Sequence, residues 1–148
     1  MQIAQSMTIA RYLAKEFNLA GKNGLEQAKA DMVVDCVTDL LNALVLIYKE
    51  KDEAKKEELQ KVCHEQTLPN AMKVLTGILT DNGGKFFVGT SLTWADIIVA
   101  DFLHNFKLRG GDGVKLLDEF KALKGHMESV MALPNIKKWI ETRPETTM

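Results

Sequence analysis

Apolar residues recur at steps of three and four along almost the whole of this 148-residue chain, and only three prolines interrupt the pattern. That spacing lines one face of a 3.6-residue helix, so such a chain folds as packed helices rather than as a sheet. The longest stretch runs from about Leu25 to Tyr48, with Leu25, Ala28, Met32, Cys36, Leu40, Leu44 and Ile47 in register. A shorter amphipathic helix is predicted over Ser6 to Phe17, with Ile9, Tyr12, Leu13 and Phe17 on one side. Asn18 to Gly24 separates the two, its glycines stopping one helix before the next begins. The charge-rich stretch Lys49 to Glu58 reads as a connection leading into a second long helix that ends near Leu79 and bends at Pro69. A turn at Asp81 to Lys85 follows, and then a helix from Trp94 to about Leu108 that is apolar on most of its circumference, as a central helix must be. Gly110 to Gly113 predicts a flexible loop. Two or three short helices close the chain, the last opened by Pro134. Only the few residues ahead of Gln5 alternate like a strand, so the pattern alone gives an all-α bundle.

Thr93-Trp94-Ala95-Asp96 is a helix start written into an apolar sequence. Thr93 is placed to accept from the Asp96 N–H while the Asp96 carboxylate reaches back to the Thr93 N–H, and Leu92 and Ile97 stand where a hydrophobic staple would. Surrounded by Leu, Trp, Ile and Val, this polar pair is expected to be buried, where it must satisfy itself.

A net charge of −1 gives no reason to expect nucleic acid or an anionic membrane as partner. The apolar run from Leu40 to Tyr48 is too short to span a bilayer and contains Asn42, and no secretory signal pattern opens the chain. Cys36 and Cys63, among apolar neighbours, read as unpaired thiols of a reducing compartment, so a cytoplasmic protein is expected. His64, His104 and His126 lack metal-ligand spacing, and the glycine-rich segments carry no phosphate-binding fingerprint.

The wording Phe87-Val88-Gly89-Thr90-Ser91-Leu92-Thr93-Trp94-Ala95-Asp96 resembles the all-helical C-terminal domain of cytosolic glutathione transferases. Gln5-Ser6-Met7-Thr8-Ile9-Ala10-Arg11-Tyr12-Leu13-Ala14 looks like the end of that family's thioredoxin-like domain. Asp31-Met32-Val33-Val34-Asp35 and the closing stretch Pro134 to Pro144 are similar to the sigma class, which includes invertebrate transferases and a vertebrate prostaglandin D synthase. The resemblance implies residues 1–19 as a strand-and-helix remnant of the thioredoxin-like domain, 20–24 as a linker and 25–148 as the helical domain. It also implies a homodimer, glutathione as co-substrate, and a small apolar electrophile or lipid as second substrate.

From the residues alone, Ser6 at a helix start reads as an ordinary N-cap; the resemblance implies instead that Gln5 and Ser6 bind the γ-glutamyl carboxylate of glutathione. Asp31, Asp35 and Asp39, four apart, form either a solvated acidic stripe or, by resemblance, a dimer face from which Asp39 reaches the glutathione ammonium of the partner protomer. The related divalent-ion site has two adjacent acids, whereas Thr38 precedes Asp39 here, so no strong metal site is expected. Rough alignment places Leu46, Ile98, Phe102, Asn105 and Phe106 on the apolar-substrate surface, with ordinary core packing the competing reading for each.

In the family a tyrosine hydroxyl from the thioredoxin-like domain holds the glutathione thiolate. Tyr12 and Tyr48 do not match it by position and read as packing residues with a polar tip. No catalytic residue is therefore assigned to this chain, and little activity is expected of it alone. Trp94 and Trp139 read as anchors of the core and of the last helix. Three functions compete: a sigma-like transferase subunit or fragment, a non-catalytic binding or dimerisation module, and a structural relative akin to lens crystallins.

Overall fold

The computed structural model describes residues 2–108 and 112–144, and among these residues every regular element is helical. The expected strand ahead of Gln5 does not form, because a strand exists only through hydrogen bonds to a neighbour and no other strand is present among the described residues. Helix α1 spans Ser6–Glu16, α2 Gly24–Lys49, α3 Glu53–Val62, α4 Leu68–Asp81, α5 Trp94–Leu108, α6 Asp112–Glu119, α7 Lys121–Met131 and α8 Pro134–Thr142. Helix α5 is central. It packs on α1, α2, α6 and α7, while α4 closes against α2 and α7. The core they share includes Val33, Val37, Leu68, Met72, Leu75, Leu103, Leu123 and Met127, all buried.

Local chemistry sets the boundaries. The Asn23 side chain accepts from the Glu26 N–H at 3.0 Å, and the Glu26 carboxylate accepts from the Lys22 N–H at 2.7 Å, so the start of α2 is capped reciprocally. Asp52 caps α3 through the Lys55 N–H at 3.1 Å. The single bent helix expected up to Leu79 is instead α3 and α4 joined by a π-helical turn, Cys63–Thr67. Pro69 offers no N–H to the turn before it, and the wider turn absorbs the missing bond just ahead of the proline. Asp112 and Gly113, expected in a loop, open α6; Gly110 and Gly111 lie outside the described residues.

The junction between α1 and the bundle is tied at one place. The Trp94 N–H donates to the Leu19 carbonyl at 2.8 Å, Arg11 Nε meets Asp31 Oδ1 at 3.0 Å, and the same guanidinium lies 5.1 Å from the centroid of the Trp94 ring. These contacts hold α1 against α5 and so place the N-terminus of α1 relative to the bundle. Gly89, at φ +61°, lets the loop before α5 approach α2, where a Cβ would stand 2.9 Å from Glu26 Oε1. Trp94 is buried as expected. Trp139 is not an anchor: it is 61% exposed, because α8 turns Ile136 and Leu133 rather than Trp139 toward the core.

Candidate functional site

An open cavity of about 790 Å³ lies where α2, α5 and the first turn of α1 meet. Four of the five predicted substrate-contact residues, Ile98, Phe102, Asn105 and Phe106, line it from α5. Their spacing of three and four residues puts them on one face, and the Phe102 and Phe106 rings stack at 6.0 Å with 12° between planes. The fifth, Leu46, is not part of the lining. The α2 wall is made by Val37, Leu41, Leu44, Val45 and Tyr48, and Leu46, two positions from Leu44, is turned away and 63% exposed. Tyr48 sits at the cavity edge, 87% exposed, rather than packed as the sequence suggested. Tyr12 is likewise exposed on α1. Sequence reasoning missed Met7 and Asp101. The i, i+3, i+7 relation of Ile98, Asp101 and Asn105 was the signal that could have found the latter.

Met7 carries the wall into the first turn of α1, next to Gln5 and Ser6. The structure makes Gln5, not Ser6, the N-cap. Its carbonyl accepts the Ile9 N–H at 3.0 Å, and Ser6 is the first helical residue. Gln5 has φ 73° and ψ 118°, a conformation L-residues rarely adopt and one that costs about 1–3 kcal/mol. No side chain caps this end and no acidic residue stands in its first turn. The first N–H groups of α1 therefore point outward without intrahelical acceptors, beside the exposed Ser6 hydroxyl. Such an end attracts a carboxylate or phosphate through both its N–H groups and its dipole.

The three aspartates of α2 divide. Asp31 is half-buried and engaged with Arg11, while Asp35 and Asp39 are exposed. Both exposed carboxylates act on Cys36: burial pushes its thiol pKa up first, and Asp39 and then Asp35 push it further. Leu25, Met32, Asp39 and Leu46 fall seven residues apart and are all exposed, so Leu46 shares a stripe with Asp39 instead of a wall with Ile98.

Behind the cavity wall, Asp96 is fully buried. Its Oδ2 accepts the Thr93 N–H at 2.7 Å and the Thr93 hydroxyl at 2.9 Å; its Oδ1 accepts the Phe87 N–H at 2.8 Å and faces His126 Nε2 at 2.9 Å. One half of the expected capping box is thus present. The other half is reversed: the Thr93 hydroxyl donates into the carboxylate, and the Asp96 N–H goes to the Thr93 carbonyl at 3.1 Å. With the carboxylate acting only as acceptor, Nε2 carries the imidazole proton. Nδ1 is buried without a partner among the described residues, and the ring stands edge-on to Phe87 at 4.8 Å. This cluster fixes the loop before α5 to both α5 and α7. It positions the scaffold, and none of its four residues lines the cavity between α2 and α5.

Residues 38–143 match the family model described as the glutathione S-transferase C-terminal domain. The chain is similar to a probable glutathione S-transferase of Caenorhabditis elegans, 36% identical over 99% of this chain and 71% of the relative. Among solved structures, a prostaglandin synthase D of Nilaparvata lugens superposes with a TM-score of 0.88 at 31% identity, covering 99% of this chain and 71% of its own. A monomeric glutathione S-transferase of the hookworm Necator americanus superposes at 0.82 and 34% identity, again over 99% and 71%. The family match, the identity and the shared fold together show that this chain belongs to the glutathione S-transferase family.

Proposed function

We propose that this chain is the helical part, with a thioredoxin-like remnant over residues 1–19, of a sigma-like glutathione transferase that joins glutathione to apolar electrophiles or isomerises apolar lipids. The observation that carries the reading is adjacency: an uncapped helix N-terminus with a strained Gln5 opens beside a large apolar cavity. The first suits the γ-glutamyl carboxylate of glutathione, and the second suits the apolar body of an electrophile. In this reading Gln5, Ser6 and the first N–H groups of α1 hold the carboxylate, and Asp39 of the partner protomer pairs with the ammonium. Ile98, Phe102, Asn105 and Phe106 contact the second substrate.

The Leu25–Met32–Asp39–Leu46 stripe supports a homodimer, since three large exposed apolar side chains border the one carboxylate that would have to cross. In this reading neither tyrosine holds the thiol: Tyr12 lies more than a turn along α1, and Tyr48, 87% exposed at the cavity edge, ends α2. Residues 1–148 accordingly bind both substrates and activate neither, and the expected compartment is the cytoplasm. No described helix is long and apolar enough to cross a membrane.

Titrating the isotope-labelled chain with glutathione fragments tests this reading. γ-Glutamylcysteine should shift the amide resonances of Ser6, Met7 and Thr8, whereas cysteinylglycine, which lacks the γ-glutamyl end, should not. Equal shifts with both fragments, or shifts confined to other helices, would refute the assignment.

The second reading is a non-catalytic module. It draws on the exposed face of α1, where Ile9, Tyr12 and Leu13 are open and Phe17 is 70% exposed. An unpartnered apolar face of this kind favours association with another surface, and size determination across a concentration series tests it.

A further inference from the structure

The cavity beside α5 is apolar with one formal charge among its described lining residues, the carboxylate of Asp101. Among the described residues Asp101, itself exposed, makes no ion pair and accepts no side-chain hydrogen bond, so no described group in the wall offsets it. It is in register with Ile98 and Asn105, on the face that α5 turns to the cavity. The Asn105 Nδ2 donates at 2.9 Å to the Asp101 backbone carbonyl, which spends one of the few neutral donors in the lining. What this end of the cavity offers an incoming polar group is therefore mainly acceptors: the Asp101 carboxylate and the Asn105 side-chain oxygen. A carboxylate entering here would lose part of its hydration, find no cationic donor among the described lining residues, and meet the like charge of Asp101 beside the apolar side chains of Phe102, Phe106 and Leu44.

We propose that Asp101 is a specificity-determining residue that turns this cavity against carboxylate-bearing lipids and toward uncharged or cationic apolar molecules. The inference rests on the cavity being the seat of the second substrate. It narrows that substrate class: free fatty-acid-like molecules are disfavoured, while neutral electrophiles and those carrying an amine or hydroxyl donor are favoured. Two unit charges within such a cavity, partly exposed to solvent, interact enough to change affinity by roughly fivefold, and salt weakens the effect.

The test uses the full 148-residue chain and displacement of the neutral fluorophore N-phenyl-1-naphthylamine by three ten-carbon ligands: decanoate, decanol and decylamine. Asp101→Asn should tighten decanoate by roughly fivefold, weaken decylamine, and leave decanol within about twofold. High salt should reduce the wild-type difference between decanoate and decylamine. Asp101→Ser, which removes the charge without leaving an amide, should repeat the pattern. An unchanged decanoate-to-decanol ratio in both variants would overturn the inference. Ile98→Trp, which fills the cavity, separates the two failures. If decanol still binds that variant, the cavity is not the ligand's seat and the substrate reading falls with this inference. If decanol is excluded and the ratio remains insensitive to Asp101, only the role of Asp101 falls.

Discussion

Replacing Asp96 by alanine removes the acceptor of four buried donors at once: two backbone N–H groups, a hydroxyl and an imidazole N–H. The Thr93 hydroxyl can turn to another acceptor. The Phe87 and Thr93 N–H groups cannot, because the loop is held by Gly89 against α2 and by Trp94 against Leu19. Each stranded buried donor costs about 1–3 kcal/mol, so the substitution should destabilise by about 4 kcal/mol. That is several times the ~1 kcal/mol expected of a helix cap alone. The difference comes from Phe87 and His126, which the box motif does not include. Asp96→Asn keeps the shape and one acceptor oxygen; its NH2 does least harm on the Thr93 side, where the hydroxyl can turn and only the Thr93 N–H is left stranded, for a loss of about 2 kcal/mol. Total stability of such a domain is about 5–15 kcal/mol, so the alanine variant should keep roughly 1–11 kcal/mol, folding without denaturant but unfolding at a lower urea concentration. Urea unfolding followed by far-UV circular dichroism, with the slopes compared to confirm similar exposed area, measures both variants. A loss below about 1 kcal/mol for Asp96→Ala would refute the claim that this carboxylate is the shared acceptor of the junction.

Other consequences are open to equally direct checks. A double-mutant cycle between Asp96 and His126 should show a coupling of about 0.5–3 kcal/mol by urea unfolding, and strict additivity would mean that their 2.9 Å approach carries no energy. Gln5→Gly should relieve the positive φ and leave stability unchanged or higher by about 1 kcal/mol while weakening the response to γ-glutamylcysteine; a loss of stability would show that the Gln5 side chain does structural work. Met32→Glu, at an exposed position, should change stability by less than about 0.5 kcal/mol yet drive the chain toward monomer in light scattering; an unchanged mass would remove the α2 stripe as the dimer face. Asp39→Asn should speed alkylation of Cys36 by iodoacetamide in mildly alkaline solution, because one of the anions holding its thiol protonated is gone. Cys63, raised by burial alone, should stay at its slow rate in the same peptide map.

The helices were legible because burial repeats with the helical period: α1, α2 and α5 begin and end within a residue or so of their apolar runs. The π-helical turn was not legible, since Pro69 announces a missing hydrogen bond but not whether the chain bends or widens to absorb it. For the cavity, the α5 wall could be found because one helix face supplies it. Leu46 was misplaced because a two-residue error on a helix reverses the side on which a residue points. Asp96 was visible as a cap, but its bonds to Phe87 and His126 span 9 and 30 residues and depend on tertiary packing. The backbone strain at Gln5 leaves no trace in residue type.

On the function proposed above, these 148 residues gather both substrates of a glutathione transferase without activating the thiol. Its most direct test is the rate at which the purified chain, under conditions where γ-glutamylcysteine shifts the start of α1, conjugates glutathione to a generic electrophile such as 1-chloro-2,4-dinitrobenzene. A rate indistinguishable from that of the uncatalysed reaction is expected. Robust turnover would place a thiol-activating group among these residues and contradict it.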